Sequence, residues 1–356
     1  MLFYGSLAIV TSALAELSIK NRNKNIRYLA ASLTVLIPAL FAGFRYQIGT
    51  DYLAYVAVFN KIKTGISTRM EPGYYLLNKV TALLGGNVQV VFFLISLIMM
   101  VFIYLSLKNY SKHLSVGLGI LVFMLTFYQP SFNIVRQITA IAIILYSLKY
   151  IEQKMFIKYL LCILVAASFH LTAIVMLPFY FISSVLQWEN KFYLVILILL
   201  VFIAAINYNK ILIPIIKILV PPAKTYRYMS YMQKHGSVEG NLLLAFLKYL
   251  PYIATSLYVI LKEKEKTRKK LGIYFSVFLL GIVLRYTIYF ASDYAYRMAY
   301  NLLITQVIVI PYVYRQFMNE NKKIISFGLI AVVVFLWWHS FVYTGYHQTV
   351  PYQWIF

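Results

Sequence analysis

Charged side chains are scarce in this sequence, and acidic ones are the scarcest. Only 12% of the 356 residues are charged, with 10 Asp plus Glu against 33 Lys plus Arg, whereas 62% are hydrophobic. A water-soluble protein of this length could not keep so much apolar side-chain surface away from water. The scarcity of charge therefore excludes a soluble enzyme and predicts an integral membrane protein.

Cysteine and the common nucleotide-binding motifs are also lacking. Cys162 is the only cysteine, which excludes an intramolecular disulfide and a cysteine-based metal site. There is no Gly-rich nucleotide loop and no Asp-x-Asp motif, so we expect no cofactor, no metal and no nucleotide-sugar donor. The net charge of +23 does not indicate a nucleic-acid partner, because short basic loops that set membrane topology hold much of it.

Long apolar runs recur along the whole chain. About eleven of them approach the roughly 20 residues that a helix needs to cross the hydrocarbon layer, and they lack the alternation of β-barrel strands. We predict an all-α polytopic transmembrane helix bundle of about 10–12 membrane elements, with residues 1–356 forming a single integral membrane domain. The predicted spans are 2–18, 28–44, 89–107, 115–128, 133–151, 159–183, 192–206, 241–261, 272–290, 297–315 and 324–342.

Basic loops orient the predicted bundle. Lys and Arg cluster after the first, third, fifth and eighth spans and before the last, and the densest cluster runs from Lys262 to Lys270. Such loops normally stay in the cytoplasm, which places both termini and the long loops 45–87 and 207–240 outside. The first span has no basic region before it and no small-residue cleavage site, so we expect a retained helix, not a signal peptide.

This orientation requires an even number of crossings between Lys158 and the 262–270 cluster. The span 159–183 is interrupted at Phe169-His170 and again at Pro178. We therefore expect a broken or re-entrant hairpin there, since non-helical backbone at membrane depth is tolerated where protein buries it. An additional short crossing at residues 211–220 is the alternative.

Polar side chains at the ends of the spans are the candidates for function, because charge at membrane depth is costly. Arg45 and Asp51 lie where the second span ends, and Glu71 follows in the same external loop. The carboxylates could act as acid or base, and the many Tyr rings nearby could stack on sugars. The structural alternative is an interfacial aromatic belt with charges that reach toward water.

Further candidates open or interrupt the later spans. Arg136-Gln137 opens the fifth span, and the planar fork of an arginine suits a phosphate group. The alternative is an arginine that caps neighbouring carbonyl groups. His170 lies within an apolar stretch, where it is either a base or a satisfied core residue.

Charged residues also surround the end of the ninth span. Arg285 lies within that span, and Asp293 and Arg297 are four residues apart, so that they could pair on one helix face. His339 and His347, near the end of the chain, are further candidates. Several cations, a histidine and three carboxylates thus gather on one membrane face, which suits a pyrophosphate leaving group and a general base.

This ordered set of residues resembles the EpsG family of bacterial exopolysaccharide proteins, which is akin to the Wzy O-antigen and capsule polymerases. The resemblance covers about residues 1–315. The matching residues are Arg45, Gly49-Thr50-Asp51-Tyr52, Glu71-Pro72-Gly73-Tyr74, Arg136-Gln137 with Ala140, Lys158-Tyr159, Phe169-His170, Asp293 and Tyr296-Arg297.

The resemblance implies a polymerase of the bacterial cytoplasmic membrane whose active face is external. Such an enzyme moves a growing glycan from its polyprenyl-pyrophosphate carrier onto another lipid-linked repeat unit. It also implies the bilayer, a chain-length regulator and a flippase as partners. On this interpretation Arg136 and Arg297 bind the donor pyrophosphate with support from Arg45, and the base is one of Asp51, Glu71 and His170.

Two other classes of function stay open at this point. A flippase or transporter of lipid-linked oligosaccharides would line a water-filled path through both halves of the membrane. The charges predicted here gather on the outer side, which favours an enzyme. A ligase or acyltransferase of the same surface glycans is the third interpretation.

Overall fold

Long apolar helices dominate the structure. The computed structural model describes residues 2–187, 249–288 and 298–356, together with residues 192, 195, 196 and 199. In this part of the chain four helices are long and apolar enough to cross a membrane: Leu2–Lys20, Lys24–Phe44, Val88–Lys108 and Lys323–Tyr343. The described residues contain no β-strand apart from one isolated bridge between Arg45 and Trp354. The predicted all-α polytopic membrane bundle is confirmed.

The described helices are numbered here in chain order. They are α1 (Leu2–Lys20), α2 (Lys24–Phe44), α3 (Tyr52–Lys63), α4 (Pro72–Leu83), α5 (Val88–Lys108), α6 (Val116–Phe123), α7 (Val135–Glu152), α8 (Phe156–Phe169), α9 (Pro178–Phe181), α10 (Ser183–Leu186), α11 (Leu250–Lys262), α12 (Glu265–Ile288), α13 (Tyr300–Leu303), α14 (Gln306–Asn319) and α15 (Lys323–Trp337). Single π-helical turns extend α6 over Met124–Tyr128 and α15 over Trp338–Tyr343, and 3₁₀ turns cover Pro130–Phe132 and Leu171–Met176.

Side-chain caps define the beginnings of several membrane helices. Asn23 accepts from the backbone N–H of Asn25 at 2.8 Å to begin α2, and Asn87 accepts from Val90 at 3.3 Å to begin α5. Ser115 begins α6 in the same way. These side chains satisfy backbone donors that a helix leaves without an intrahelical partner.

Helix α7 occupies the centre of the first compact unit, which comprises Met1–Leu177 and Val307–Phe356. It packs against α5 on one side and α8 on the other, while α2 lies between α1 and α5. Most of its side chains are buried, from Ile138 to Leu148, so nearly every face of α7 contacts protein. The beginning of this central helix therefore holds a fixed position relative to its neighbours.

Pro178–Gln306 forms a second compact unit, which is described here by itself. In it Ser276 of α12 donates to the carbonyl of Leu186 at 2.8 Å, and α12 packs closely on α13 at Gly281 and Leu302. The prediction of a single membrane domain stays a prediction.

The break predicted within residues 159–183 is confirmed. Helix α8 ends at Phe169, His170 is extended, and a 3₁₀ turn follows. Tyr159, near the start of α8, donates to the carbonyl of Met176, so the chain folds back along α8 as a hairpin requires. The alternative crossing at 211–220 lies outside the described residues.

Two other predicted boundaries differ from the structure. The external loop 45–87 contains two short helices, α3 and α4, which the search for long apolar runs missed because each has only 12 residues. The predicted span 297–315 is divided near Thr305 between α13 and α14, where the Thr305 hydroxyl donates to the carbonyl of Leu302 at 2.7 Å. Most of 192–206 and all of 207–240 lie outside the described residues.

Candidate functional site

An ion pair lies at the beginning of the central helix. Arg136, in the first turn of α7, donates from Nη1 to Oε2 of Glu71, the residue that precedes α4. Both side chains are partly exposed, Arg136 at 25% and Glu71 at 22%. The guanidinium carbon lies 5.7 Å from the centre of the Tyr74 ring. The fold thus joins two candidate residues that are 65 positions apart in the chain.

Three helix N-termini meet around this ion pair. Helices α3, α4 and α7 begin after Asp51, Glu71 and Ile134, and none of these residues makes a side-chain cap in the described structure. This differs from α2, α5 and α6, whose first backbone N–H groups are capped. Uncapped N-termini carry partial positive charge and attract anions. Together with Arg136 they form a site suited to an anionic group.

Asn133 connects three segments of the chain just before α7. Its Oδ1 accepts from the backbone N–H of Asp51 at 3.4 Å, and its carbonyl accepts from the Tyr55 hydroxyl at 2.7 Å. Its Nδ2 donates to the carbonyl of His347 at 3.0 Å and lies 2.8 Å from His347 Nδ1. Because Asn133 is itself buried, these bonds fix the approach to Arg136.

The Asn133 amide also determines the state of the histidine ring. An amide nitrogen only donates, so His347 Nδ1 accepts from it and the neutral ring carries its proton on Nε2. The amide orientation follows from the Asp51 N–H, which can only donate to Oδ1.

The C-terminal tail, residues 344–356, lies against the loop that carries Asp51. Gly49 donates its N–H to the carbonyl of Gln348 at 3.1 Å, and Tyr46 donates to Gln353 at 3.0 Å. Chain ends are normally mobile unless they are bonded in this way. The tail is therefore part of the wall beside the ion pair.

Gly49 is required by two features of this loop. Its φ of +93° is a conformation that residues with a Cβ rarely adopt. A Cβ at this position would also collide with Oδ1 of Asn133. Gly49 thus allows the loop to approach Asn133 and places the next two residues, Thr50 and Asp51.

Asp51 lies at the edge of the site. Its carboxylate accepts from the Thr50 hydroxyl at 3.2 Å and is partly exposed. Tyr55, one turn further along α3, is a buried neutral phenol: burial raises its pKa, while the positive charge of Arg136 acts in the opposite direction. Asp51 is therefore near the ion pair but is not bonded to Arg136 in the described contacts.

His170 is located where α4 meets the end of α8. A Cβ added to Gly73 would lie 2.9 Å from the carbonyl oxygen of Ser168, so α4 begins in backbone contact with α8. His170 follows two residues later and has its Nδ1 2.8 Å from the Thr172 hydroxyl. The Glu71–Gly73 segment and the break at His170 are therefore adjacent.

Arg45 is buried, unlike Arg136. Its side chain is 1% exposed, and its guanidinium carbon lies 4.2 Å from the Phe92 ring and 4.5 Å from the Phe132 ring. None of its three side-chain nitrogens has a hydrogen-bond partner among the described residues. Burial lowers the pKa of Arg45 to about 10, which leaves it charged at neutral pH.

The surroundings of Arg45 exclude direct contact with a large anion in this conformation. The cavity beside it, lined in part by Ser96 and Thr139, has a volume of about 10 Å³, which is the space of one water molecule. Its charge nevertheless acts, like that of Arg136, on Tyr55 between them. Arg45 contributes positive potential to the site instead of a ligand contact.

Comparison with protein families identifies the chain. The profile of the EpsG family matches residues 28–354, nearly the whole sequence. The chain belongs to the EpsG family. Comparisons with curated proteins and with solved structures gave no match. Membership supports a polysaccharide polymerase-like role at the membrane, as the sequence predicted.

The remaining candidates of this EpsG-family chain are not part of the described site. Gln137 is buried within the bundle at α7. Arg285 belongs to the second unit, where its guanidinium carbon lies 5.4 Å from the Tyr300 ring. Asp293 and Arg297 lie outside the described residues. Their predicted roles stay predictions.

Sequence reasoning missed Asn133 and Tyr55 in this EpsG-family chain. The position of Asn133 between Pro130 and Arg136, in a short polar stretch before a span, was a usable signal. His347 was named as a candidate, but nothing in its spacing could connect it with Asn133, which is 214 residues away. Only the fold brings them together.

Proposed function

We propose that this EpsG-family protein is a glycosyltransferase-type polymerase, which joins polyprenyl-pyrophosphate-linked oligosaccharide repeat units into an exopolysaccharide, capsule or O-antigen chain. The Arg136–Glu71 ion pair carries the proposal. The pair provides a cation that can bind a pyrophosphate and a carboxylate that can act as the proton acceptor. Both side chains are partly exposed where three helices begin without a side-chain cap in the described part of the chain.

The proposed reaction exchanges one glycosidic bond for another. The bond between the anomeric carbon of the donor and its pyrophosphate oxygen breaks, and polyprenyl pyrophosphate leaves. A hydroxyl group of the acceptor repeat forms the new bond to that carbon and gives its proton to a carboxylate. Arg136 stabilises the charge that develops on the leaving pyrophosphate, and Glu71 receives the proton.

The ion pair gives this reaction an order of events. In the absence of donor, Glu71 neutralises Arg136. A pyrophosphate carries more negative charge than a carboxylate and can accept both branches of the arginine fork. Donor binding therefore displaces Glu71 from Arg136 and leaves its carboxylate free to take the proton of the acceptor hydroxyl.

Glu71 is the favoured base among the three candidates because it alone contacts Arg136 in the described structure. Asp51 lies at the edge of the same site, where it could bind an acceptor hydroxyl. His170 lies beside the beginning of α4 and could help to hold the acceptor. We place the reaction on the external face of a bacterial cytoplasmic membrane, where a flippase delivers the repeats and a chain-length regulator acts on the product.

Purified protein in liposomes that contain lipid-linked repeats tests the proposed reaction. Longer lipid-linked chains are expected. Movement of unextended repeats across the bilayer would show a flippase instead, and transfer to a different acceptor would show a ligase. A strain without the protein should accumulate single repeats on the carrier lipid, and normal long polymer in that strain would contradict the proposal.

A further inference from the structure

The two short helices beside the site, α3 and α4, differ in their exposed surfaces: that of α4 is mainly aliphatic, and that of α3 is mainly polar after its first turn. Helix α4 exposes Leu76, Val80 and Leu83, and Leu84 follows them. The spacing of these residues places them on one face of the helix. The exposed side of α3, which has the same length, carries Leu53 in its first turn and then Ala57, Asn60, Lys61 and Lys63.

Helix α4 has its polar residues buried and its aliphatic residues exposed, which is the reverse of a helix that faces water. Its buried side carries Tyr74, Asn78 and Thr81, and its exposed side carries the aliphatic residues. In water each exposed aliphatic side chain forgoes the gain from burial, whereas in contact with hydrocarbon there is no such loss. Twelve residues of helix span about 18 Å, too short to cross about 30 Å of hydrocarbon.

The apolar face of α4 continues onto α8. The two helices are in backbone contact at Gly73 and Ser168. The exposed side of α8 carries Leu161, Leu164 and Val165, and the 3₁₀ turn after it exposes further aliphatic residues. Lys79, also exposed on α4, is long enough to reach lipid headgroups from the same face.

We propose that α4 lies in the boundary layer of the membrane with its apolar face against bilayer lipid, so that a lipid-linked anion reaches Arg136 sideways from the bilayer. The placement of α4 stands on its exposed residues alone, and the lateral route rests on the proposed function. Helix α4 begins directly after Glu71, so its lipid-facing side leads to the ion pair. The polar end of α3 faces the water.

Spin labels test the placement of α4 without any assay of activity. Leu76→Cys and Leu83→Cys are labelled with a nitroxide in a Cys162→Ser background and compared with Ala57→Cys and Asn60→Cys on α3. In liposomes the α4 labels should collide often with oxygen, which concentrates in lipid, and rarely with a water-soluble nickel chelate. The α3 labels should collide often with the nickel chelate and less often with oxygen. Nickel access to α4, or exclusion of both reagents by a covering protein, would overturn the proposal.

Substitution of the same face tests the lateral route. Leu83→Asp should raise KM for a long-chain lipid-linked donor about tenfold, because a carboxylate resists contact with hydrocarbon. It should leave KM unchanged for a water-soluble donor with a short chain. Equal effects on both donors would overturn the lateral route. Absence of transfer from either donor by the unsubstituted protein would instead contradict the proposed function and leave the spin-label result to decide the placement of α4.

Discussion

At the residue scale, the site contains one arginine in an ion pair, Arg136, and one buried arginine, Arg45, without a counter-ion in the part of the chain that the structure describes. Arg136 has its counter-ion in Glu71, whereas Arg45 lies between two aromatic rings without a polar partner among the described residues. A desolvated cation–π contact contributes about 2 kcal/mol, but burying an unpaired charge costs several kcal/mol. The fold therefore tolerates an unfavourable charge beside the ion pair, which is common at functional sites.

Replacement of Arg45 should separate stability from activity. We expect Arg45→Met to raise the melting temperature, because it removes the unpaired charge and fills the slot between Phe92 and Phe132. Polymerisation should fall, because the site loses positive potential. Thermal unfolding in detergent and polymer formed per folded protein measure the two effects. A lower melting temperature would show that the guanidinium group is a net stabilising element.

Replacement of Glu71 should separate binding from turnover. Glu71→Gln removes the counter-ion of Arg136, so KM for the lipid-linked donor should fall. Because the variant also lacks the proposed base, kcat should fall by about 10²-fold. Glu16→Gln is the matched control, since Glu16 is similarly exposed and pairs with Lys20 at 2.8 Å in α1. An unchanged kcat in Glu71→Gln would exclude Glu71 as the base.

At the element scale, close backbone approaches hold the site together. Gly49 allows its loop to pack on Asn133, and Gly73 allows α4 to pack on α8. The beginnings of α3, α4 and α7 have no side-chain cap among the described residues, which leaves N–H groups for an anion beside Arg136, whereas α2 and α5 begin with a side-chain cap. The helix ends thus add partial positive charge to that of Arg136 in a site for an anion.

Two glycines with positive φ, Gly49 at +93° and Gly65 at +77°, test the loop that carries Asp51. Gly49→Ala and Gly65→Ala both force alanine into a left-handed conformation, which costs about 1–2 kcal/mol. Only at Gly49 does the new Cβ also collide with Asn133, whereas at Gly65 no atom lies within 4 Å. We expect Gly49→Ala to lose most of its polymerisation per folded protein and Gly65→Ala to keep it. Equal loss in both variants would remove the role of the Asn133 contact.

Sequence reasoning succeeded for the long elements and failed for the short ones. The spans of α1, α2 and α5 follow from uninterrupted apolar runs, and their predicted ends differ from the structure by a few residues. Helix α4 has too few apolar residues for a hydropathy search, and its apolar residues face outward. Arg136 and Glu71 were each predicted, but their pairing was not, because no local pattern links them.

At the scale of the whole first unit, residues predicted to share a side of the membrane meet one another. The backbones of Arg45 and Trp354 in the tail form an isolated antiparallel bridge, and the Asn133 side chain donates a hydrogen bond to the carbonyl of His347. On the side predicted to be cytoplasmic, Arg315 donates to the carbonyl of Lys112 at 2.8 Å. The predicted topology is therefore internally consistent for this unit.

Cysteine labelling tests that topology directly. In a Cys162→Ser background, Thr64→Cys and Thr344→Cys should react with an impermeant thiol reagent in intact spheroplasts. Lys264→Cys, in the densest basic cluster, should react only after permeabilisation. Labelling of Lys264→Cys in intact spheroplasts would contradict the predicted orientation of the basic cluster, and labelling of Thr64→Cys only after permeabilisation would place the ion pair on the cytoplasmic face.

The central claim is that Arg136 binds the leaving pyrophosphate instead of only capping or stabilising α7. The deciding measurement is polymer formed per unit of folded protein for Arg136→Ala and Arg136→Lys in liposomes with lipid-linked repeats. Loss of charge-assisted hydrogen bonds should cost about 2–4 kcal/mol in the transition state. We expect no detectable polymer from Arg136→Ala and a strong loss in Arg136→Lys, which keeps the charge but not the planar fork. Near-normal specific activity of Arg136→Ala, with less folded protein, would contradict the account.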